Sequence, residues 1–190
     1  MCIRDRYCAA FQQAILQYHG IKMEEVNQTL DYLWKKTYQG TDIDSVCIRA
    51  DSDGTSGGLR AYQYRVCMRK DGIELDMRGR CSTGQKVLAC ILIRLALADS
   101  FGGACGCMAL DEPTTNLDRE NVEALAASLV DLLAERQHQP NFQLIVITHD
   151  EEFLTRLSQS DALEHYWRVS RDTHLHSCLL YTSDAADERS

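Results

Sequence analysis

The sequence of 190 residues contains no phosphate-binding loop of the form G-x-x-x-x-G-K-[ST]. Such a loop cradles nucleotide phosphates with its backbone N–H groups, so this chain by itself lacks the usual means of holding them. It also lacks a long apolar run: the longest, Val87 to Phe101, includes Arg94 and Asp99 and is shorter than the roughly 20 residues of a membrane span. We therefore expect no membrane partner.

Positive charge is also scarce, because 20 Lys and Arg residues face 28 Asp and Glu residues, a net charge of -8. A nucleic-acid-binding domain usually carries the opposite balance, so any DNA contact must be local or come from another segment. The nine cysteines are scattered and no signal peptide precedes them, which predicts reduced thiols in the cytosol or nucleus. Cys105 and Cys107 are too close for a C-x-x-C site, and we interpret them as small buried side chains of a strand.

The two ends of the chain match opposite strands of one short DNA. Back-translation of Met1 to Arg6 gives a DNA whose reverse complement, in a shifted frame, encodes the residues from Cys178 to Thr182. We therefore predict that residues 1–6 and 178–190 are translated sequencing adapter rather than native protein, and that the chain is a fragment.

Residues 7–37 follow a helical seam with alternating spacings of four and three. The spacing predicts either the end of a coiled coil that runs into a globular head or an amphipathic helix packed on its own domain, and it does not separate the two. The seam positions are Gln12, Leu16, His19, Met23, Val26, Leu30, Leu33 and Thr37.

Residues 38–177 are predicted to form one lobe with two kinds of sheet. Short alternating stretches at 42–50, 61–70 and 73–77 predict an antiparallel layer with one buried face. From Ser82 the chain is apolar on nearly every side, which predicts a helix buried inside the domain. Strands at 105–110, 143–148 and 165–170 then alternate with helices at 119–136 and 150–158, an order typical of a parallel α/β sheet.

Three short motifs carry the candidate chemistry, and the first is Ser82-Thr83-Gly84-Gln85. Ser followed three residues later by Gln is a capping box that starts a helix. The same free N–H groups and positive dipole end also suit an anion. Spacing alone leaves both interpretations open and favours the simple cap.

The second motif is ALDEPTTNLD, in which Asp111 and Glu112 follow an apolar strand. Ligands of parallel α/β sheets bind beyond the carboxyl ends of the strands, where one acid can hold Mg²⁺ and its neighbour can accept a proton from water. The alternative is a solvated acidic turn that starts a helix at Asp118. His149 is the third motif, since it ends the next strand at the same predicted sheet edge, although a lone histidine is more often structural.

Together these motifs resemble the signature motif (CSTGQ), the Walker B strand and D-loop (LDEPTTNLD) and the switch histidine (VITHD) of ABC-type ATPases. The longer strings DMRGRCSTGQKVLACILIRLALAD and ALDEPTTNLDRENVEAL resemble the SMC-related Rad-fifty family, the DNA double-strand-break repair ATPases of the MRN complex, over residues 12–176. The resemblance implies the C-terminal lobe of a P-loop NTPase-like ABC ATPase head, with a parallel sheet, antiparallel hairpin strands and the stub of a coiled-coil helix.

The resemblance also implies roles, cofactors and partners. ATP and Mg²⁺ are the expected ligands, with Asp111 on the metal, Glu112 as general base and His149 toward the γ-phosphate. Ser82, Thr83, Gly84, Gln85 and Asp118 would contact nucleotide across a homodimer of heads. The expected partners are the N-terminal head segment of the same protein with its P-loop, a second copy, a DNA-repair nuclease subunit and DNA, in the nucleus on chromosomes. The family's zinc lies at a hook that is absent from this chain.

Thr83 departs from the general Ser-Gly-Gly-Gln signature, while Gly84 is kept. Three alternatives remain. A cohesin- or condensin-type SMC head would carry a D-loop resembling DEIDAALD, and Pro113-Thr114-Thr115 disfavours it. A transporter-type ABC domain would place its P-loop upstream in the same compact domain. A non-hydrolysing interaction module would have no need of intact Asp111, Glu112 and His149.

Overall fold

A computed structural model of the chain describes residues 3–52, 62–101, 107–136, 143–158, 166–171 and 176–182. The chain divides into two compact units, Met1–Gly106 and Cys107–Ser190. Their boundary falls inside the stretch 38–177 that the sequence predicts to be one lobe. No helix within the described ranges is long and apolar enough to cross a membrane.

The first unit joins a long helix to a three-stranded antiparallel sheet and a second helix. Its sheet has the order β1-β2-β3, with Val46 opposite Met68 and Cys67 opposite Asp76. The elements are α1 (Ile3–Thr37), β1 (Ser45–Ser52), β2 (Tyr62–Lys70), β3 (Ile73–Asp76) and α2 (Thr83–Phe101).

Helix α1 is 35 residues long, about 52 Å at 1.5 Å per residue. It runs continuously from Ile3, through the residues predicted to be adapter, to Thr37. The seam divides along this length. Gln12 is exposed, whereas Val26, Leu30 and Thr37 are fully buried. The second half of the seam therefore packs on its own unit, against β1 and α2.

Asn27 ties α1 to the edge of the sheet. Its side-chain Nδ2 donates to the Ile48 carbonyl (3.0 Å), and its Oδ1 accepts from the Ile48 N–H (2.7 Å). Strand β1 is an edge strand, so these two backbone groups face away from β2 and need another partner. The Asn27 amide satisfies both of them as a neighbouring strand would.

Burial in this unit is less uniform than the sequence patterns alone suggest. Helix α2 buries one face, with Leu88, Leu92 and Leu95 inside it, while Leu97 and Phe101 are exposed. It packs on α1, and its C-terminal end is less buried than its uniformly apolar sequence suggests. In β2, Tyr64 is exposed although its hydroxyl lies 2.9 Å from His19 Nε2 and its ring centroid lies 5.9 Å from that of the His19 ring.

The second unit contains two parallel strands with a connecting helix. β4 pairs with β5 in parallel, Cys107 opposite Gln143 and Asp111 opposite Ile147, which confirms the predicted parallel sheet. The elements are β4 (Cys107–Asp111), α3 (Arg119–Arg136), β5 (Gln143–Ile147), α4 (Glu151–Ser158), β6 (Tyr166–Arg171) and β7 (Ser177–Thr182). Leu125, Leu129 and Phe153 are fully buried where α3 meets α4.

Three details of this unit bear on the predictions. Cys107 is exposed rather than buried, because burial in β4 is deep only at Leu110. Cys105 and His165, which begin two predicted strands, lie outside the described residues. Strand β6 pairs antiparallel with β7 and not with the parallel strands, so the prediction that the strand at 165–170 continues the parallel sheet is wrong. All of β7 except Ser177 falls within the segment predicted to be adapter.

Candidate functional site

The carboxyl ends of β4 and β5 place the predicted acids and histidine at one edge of the sheet. Asp111 is the last residue of β4 and lies opposite Ile147, the last residue of β5. The Glu112 N–H continues the ladder and donates to the Ile147 carbonyl (2.8 Å). Two residues later the chain reaches His149, so Glu112 and His149 leave the sheet side by side.

Glu112 and His149 are in direct contact. His149 Nδ1 lies 2.7 Å from Glu112 Oε2. This oxygen is buried and has no well-aligned hydrogen bond within the described residues, so the contact with His149 is close but poorly directed. The His149 side chain is 84% exposed and that of Glu112 is 34% exposed. The hydrogen bond and negative charge of Glu112 raise the pKa of His149 above its usual value. The pair therefore favours a protonated imidazole beside a carboxylate.

Glu112 adopts a backbone conformation that is rare for a residue with a side chain, with φ of 47°. A left-handed residue other than glycine costs about 1–2 kcal/mol. The left-handed conformation turns the chain sharply after β4. The Thr115 N–H then donates to the Glu112 carbonyl (3.2 Å). The turn thus presents Asp111 to solvent while directing Glu112 toward His149.

The turn that carries His149 is fixed by local hydrogen bonds. The Asp150 N–H donates to Thr148 Oγ1 (3.0 Å), and Asp150 Oδ1 caps α4 by accepting from the Phe153 N–H (3.0 Å). Phe153 is fully buried. The histidine is consequently held between a strand and a capped helix even though its ring is exposed.

Asp118 is the N-cap of α3. Its Oδ1 accepts from the Asn121 N–H (2.9 Å), and its Oδ2 accepts from the Asn121 side-chain amide (2.8 Å). The family resemblance implies that this residue reaches a second head. The structure adds that both carboxylate oxygens already bond within their own helix, and the side chain as a whole remains exposed.

The motif from Ser82 to Gln85 forms the predicted capping box at the start of α2. The Gln85 N–H donates to Ser82 Oγ (3.2 Å), and the Ser82 N–H donates to Gln85 Oε1 (3.0 Å). Ser82 and Thr83 are exposed, and Gly84 is partly exposed. The first turn of α2 is thus well formed and open to solvent, as an anion site at a helix N-terminus requires.

Sequence reasoning missed two partners of this motif, Tyr38 and Asp42. Gln85 Nε2 donates to the Tyr38 hydroxyl (2.8 Å) and to Asp42 Oδ2 (2.7 Å), and the Tyr38 hydroxyl donates to Asp42 Oδ1. The Tyr38 hydrogen bond holds the pKa of Asp42 below its usual range, and Gln85 and the Lys70 charge act in the same direction. Gln85 lies more than 40 residues from both partners, and no local sequence pattern relates positions so far apart. The cluster therefore could not be predicted from the sequence.

A magnesium ion fits the sheet edge through Asp111. Its carboxylate is exposed at the end of β4, and Mg²⁺ is often bound by one or two carboxylates together with waters and substrate phosphates. No group of three or more potential metal ligands occurs within the part of the chain that the structure describes.

A groove of about 560 Å³ lies between α1 and β1 in the first unit. It is lined by Asn27, Asp31, Arg49 and Arg69 among other residues, and none of the eight predicted site residues belongs to its lining. The groove is therefore separate from the motif at the start of α2.

Comparison with known sequences gives close relatives over most of the chain. The chain is 55% identical over 168 residues to "DNA repair protein RAD50" of Saccharomyces cerevisiae, covering 88% of this chain and 13% of that protein. It is 58% identical over 176 residues to "DNA repair protein rad50" of Schizosaccharomyces pombe, covering 92% of this chain and 14% of that protein. The chain thus spans about one seventh of the length of these relatives. No family model matches it.

Comparison with solved structures shows the fold. One neighbour is a crystal structure of the Smc head domain with a coiled coil and joint derived from Pyrococcus yayanosii, with a TM-score of 0.65 and 17% identity over 92% of this chain and 30% of the other. A second is described as structural biochemistry of ATP-driven dimerization and DNA-stimulated activation of SMC ATPases. It has a TM-score of 0.59 and 18% identity, and the match covers 88% of this chain and 89% of the other. The chain has the fold of an SMC head, as predicted.

Proposed function

The chain belongs to the Rad50 (Rad-fifty) family of DNA repair proteins, and on that premise we propose that it is the C-terminal half of an ATPase head acting in DNA double-strand-break repair. An archaeal relative, 39% identical over 161 residues, is named "DNA double-strand break repair Rad50 ATPase". ATP hydrolysis in this proposal belongs to the assembled head, because the chain itself carries no P-loop.

One observation supports this function above all: Glu112 and His149 meet at the sheet edge, 2.7 Å apart, next to exposed Asp111. An acid for a metal, an acid for a water and a cation for phosphate are the groups that phosphoryl transfer to water requires at one point. The three groups lie at the carboxyl ends of parallel strands, which is where α/β sheets bind their ligands.

In the proposed mechanism Asp111 would hold Mg²⁺, and the bound ion would neutralise phosphate charge. Glu112 accepts a proton from the attacking water through its carboxylate, and its strained turn fixes the direction of that carboxylate. His149 contacts the γ-phosphate by the ring edge that does not face Glu112. Phosphoryl transfer depends on positioning and charge more than on covalent chemistry, so a site divided between two segments is workable.

The first turn of α2 faces the nucleotide of a second head in this proposal. In this proposal the exposed hydroxyls of Ser82 and Thr83 and the helix start at Gly84 contact the γ-phosphate, and Asp118 lies across the same dimer interface. ATP then holds two heads together, and hydrolysis releases them. This cycle controls the access of DNA ends to a partner nuclease, in the nucleus and on chromosomes.

The experiment uses the full-length protein with its N-terminal segment. Glu112→Gln removes the proton acceptor but keeps the shape, so ATP-bound dimers should persist much longer than those of the parent in size-exclusion chromatography. Glu120→Gln, an exposed change in the first turn of α3, is the matched control and should leave dimer lifetime unchanged. Equal lifetimes for Glu112→Gln and the parent would remove Glu112 from its role.

The isolated chain provides a second test. It should hydrolyse no ATP above background, because nothing in it cradles the β- and γ-phosphates. Robust turnover by the isolated chain would contradict the divided site.

A further inference from the structure

The Gln85 side chain is fully committed inside its own unit. Its Oε1 accepts from the Ser82 N–H, and its Nε2 donates to Tyr38 and to Asp42. A primary amide has two N–H hydrogens, so both are used by these two partners. Gln85 therefore has no donor left for a nucleotide, although the family resemblance places it in a nucleotide-binding motif.

Tyr38 is fixed by the core of the first unit. It directly follows α1, its N–H donates to the Trp34 carbonyl (2.8 Å), and its ring stacks on that of Trp34 with centroids 4.5 Å apart. Trp34 is 1% exposed, and its Nε1 donates to the Ile43 carbonyl (3.2 Å). Gly40 leaves the space that the Tyr38 hydroxyl occupies, since a Cβ there would overlap it.

Asp42 links this fixed residue to α2. One carboxylate oxygen accepts from the Tyr38 hydroxyl and the other accepts from Gln85. Only a carboxylate can accept on both sides, because an amide in its place would present hydrogens to one of the two donors. The hydrogen bond from Tyr38 lowers the pKa of Asp42, as expected for a carboxylate whose charged form is stabilised by these donors.

We propose that Tyr38 and Asp42 are positioning residues that set the first turn of α2 through Gln85, and that Gln85 acts as their clamp rather than as a nucleotide ligand. The inference rests on the proposed function of Ser82, Thr83 and Gly84 at a second head. These three residues lie at an exposed helix start, and the clamp is the polar connection that ties this start to the end of α1. A displacement of about 1 Å at such a site can cost two orders of magnitude in rate.

The test measures ATP-driven dimerisation of the full-length protein in a Glu112→Gln background, where turnover does not obscure the equilibrium. Asp42→Asn should raise the ATP concentration for half-maximal dimerisation at least about tenfold, equivalent to about 1.4 kcal/mol. Tyr38→Phe keeps the stacking on Trp34 and the Asp42–Gln85 bond, so a smaller rise is expected. Asp44→Asn is the matched control, because Asp44 accepts from the Asp71 N–H and faces Lys70 rather than α2.

The outcomes separate the inference from the function on which it rests. If the Glu112→Gln parent does not dimerise with ATP, the proposed function fails. If the parent dimerises, two results would overturn the positioning role alone. One is an unchanged ATP concentration for half-maximal dimerisation in Asp42→Asn, and the other is an equal rise in that concentration in Asp44→Asn. Should Asp42→Asn fail to fold, Tyr38→Phe decides: a raised midpoint with an unchanged melting temperature supports the role, and an unchanged midpoint contradicts it.

Discussion

His149 Nδ1 lies 2.7 Å from Glu112 Oε2 across the carboxyl ends of two parallel strands. The pair joins residues 37 positions apart in sequence and combines a group that can carry a positive charge with one that can accept a proton. Because the His149 ring is exposed, it can exchange protons with solvent and can contact a ligand. Four predictions follow from this and other contacts.

Replacing Glu112 by Gln should lower the pKa of His149 toward its ordinary value of 6.5, because the hydrogen bond to a charged carboxylate is the main cause of its elevation. With the carboxylate present, the pair favours the folded state below the ordinary pKa and loses that contribution as pH rises through the raised pKa. NMR titration of the imidazole measures the shift. Glu120→Gln is the control, and an unmoved His149 pKa in Glu112→Gln would rule out the contact.

Removing the cap of α2 with Ser82→Ala should destabilise the protein by about 1 kcal/mol. The change leaves the Gln85 N–H without its side-chain acceptor at the helix start. Thr83→Ala, one position further on and equally exposed, is the control for the loss of a hydroxyl. Urea unfolding followed by circular dichroism compares the two, and equal effects would show that the cap contributes nothing specific.

The two hydrogen bonds between Asn27 of α1 and Ile48 at the sheet edge predict that two different substitutions of Asn27 lower the stability of the protein. Asn27→Ala leaves the Ile48 N–H and carbonyl without their partner and should destabilise by about 1–3 kcal/mol. Asn27→Asp keeps the size but sets a carboxylate oxygen against the Ile48 carbonyl, so it should also destabilise. Gln28→Ala, on the exposed side of the same turn, serves as the control. Thermal unfolding decides, and a neutral Asn27→Asp would contradict the two-bond geometry.

Glu74 should respond to acid in a predictable window. Arg49 donates to both of its carboxylate oxygens (2.8 and 2.5 Å), which lowers the Glu74 pKa from 4.5 to about 2. A lowered pKa contributes stability above the unfolded value, here about 4.5, that is lost as pH falls toward 2. Glu74→Gln should therefore destabilise at pH 7 and less so near pH 2. Melting temperatures across that range test it, with Glu24→Gln as control, and a difference that does not change with pH would refute it.

The terminal segments remain a prediction of a different kind. The structure gives α1 a start at Ile3 and a strand at Ser177–Thr182, but conformation says nothing about the origin of a sequence. The genomic reading frame tests whether residues 1–6 and 178–190 are adapter, and it would also show whether a P-loop and a zinc hook lie upstream.

Local spacing was sufficient for part of this protein. Ser82 and Gln85 lie three residues apart, so their reciprocal capping could be predicted from sequence. The same holds for the parallel strands before Asp111 and His149, because an alternation of short apolar runs with helices permits few arrangements. Burial was less predictable. Tyr64 fits an alternating pattern yet is exposed, because the pattern records which residues share a face and not what covers that face.

The sequence by itself determined the elements, the motifs and their order, since propensities, caps and periodicity act over a few residues. Only the tertiary structure decided that Asn27 completes a strand edge, that Gln85 bonds to Asp42 and Tyr38 rather than standing free, and that Glu112 meets His149. These contacts join residues between 21 and 47 positions apart. A hydrogen bond requires its donor and acceptor within about 3 Å, and at such separations chain packing alone sets that distance.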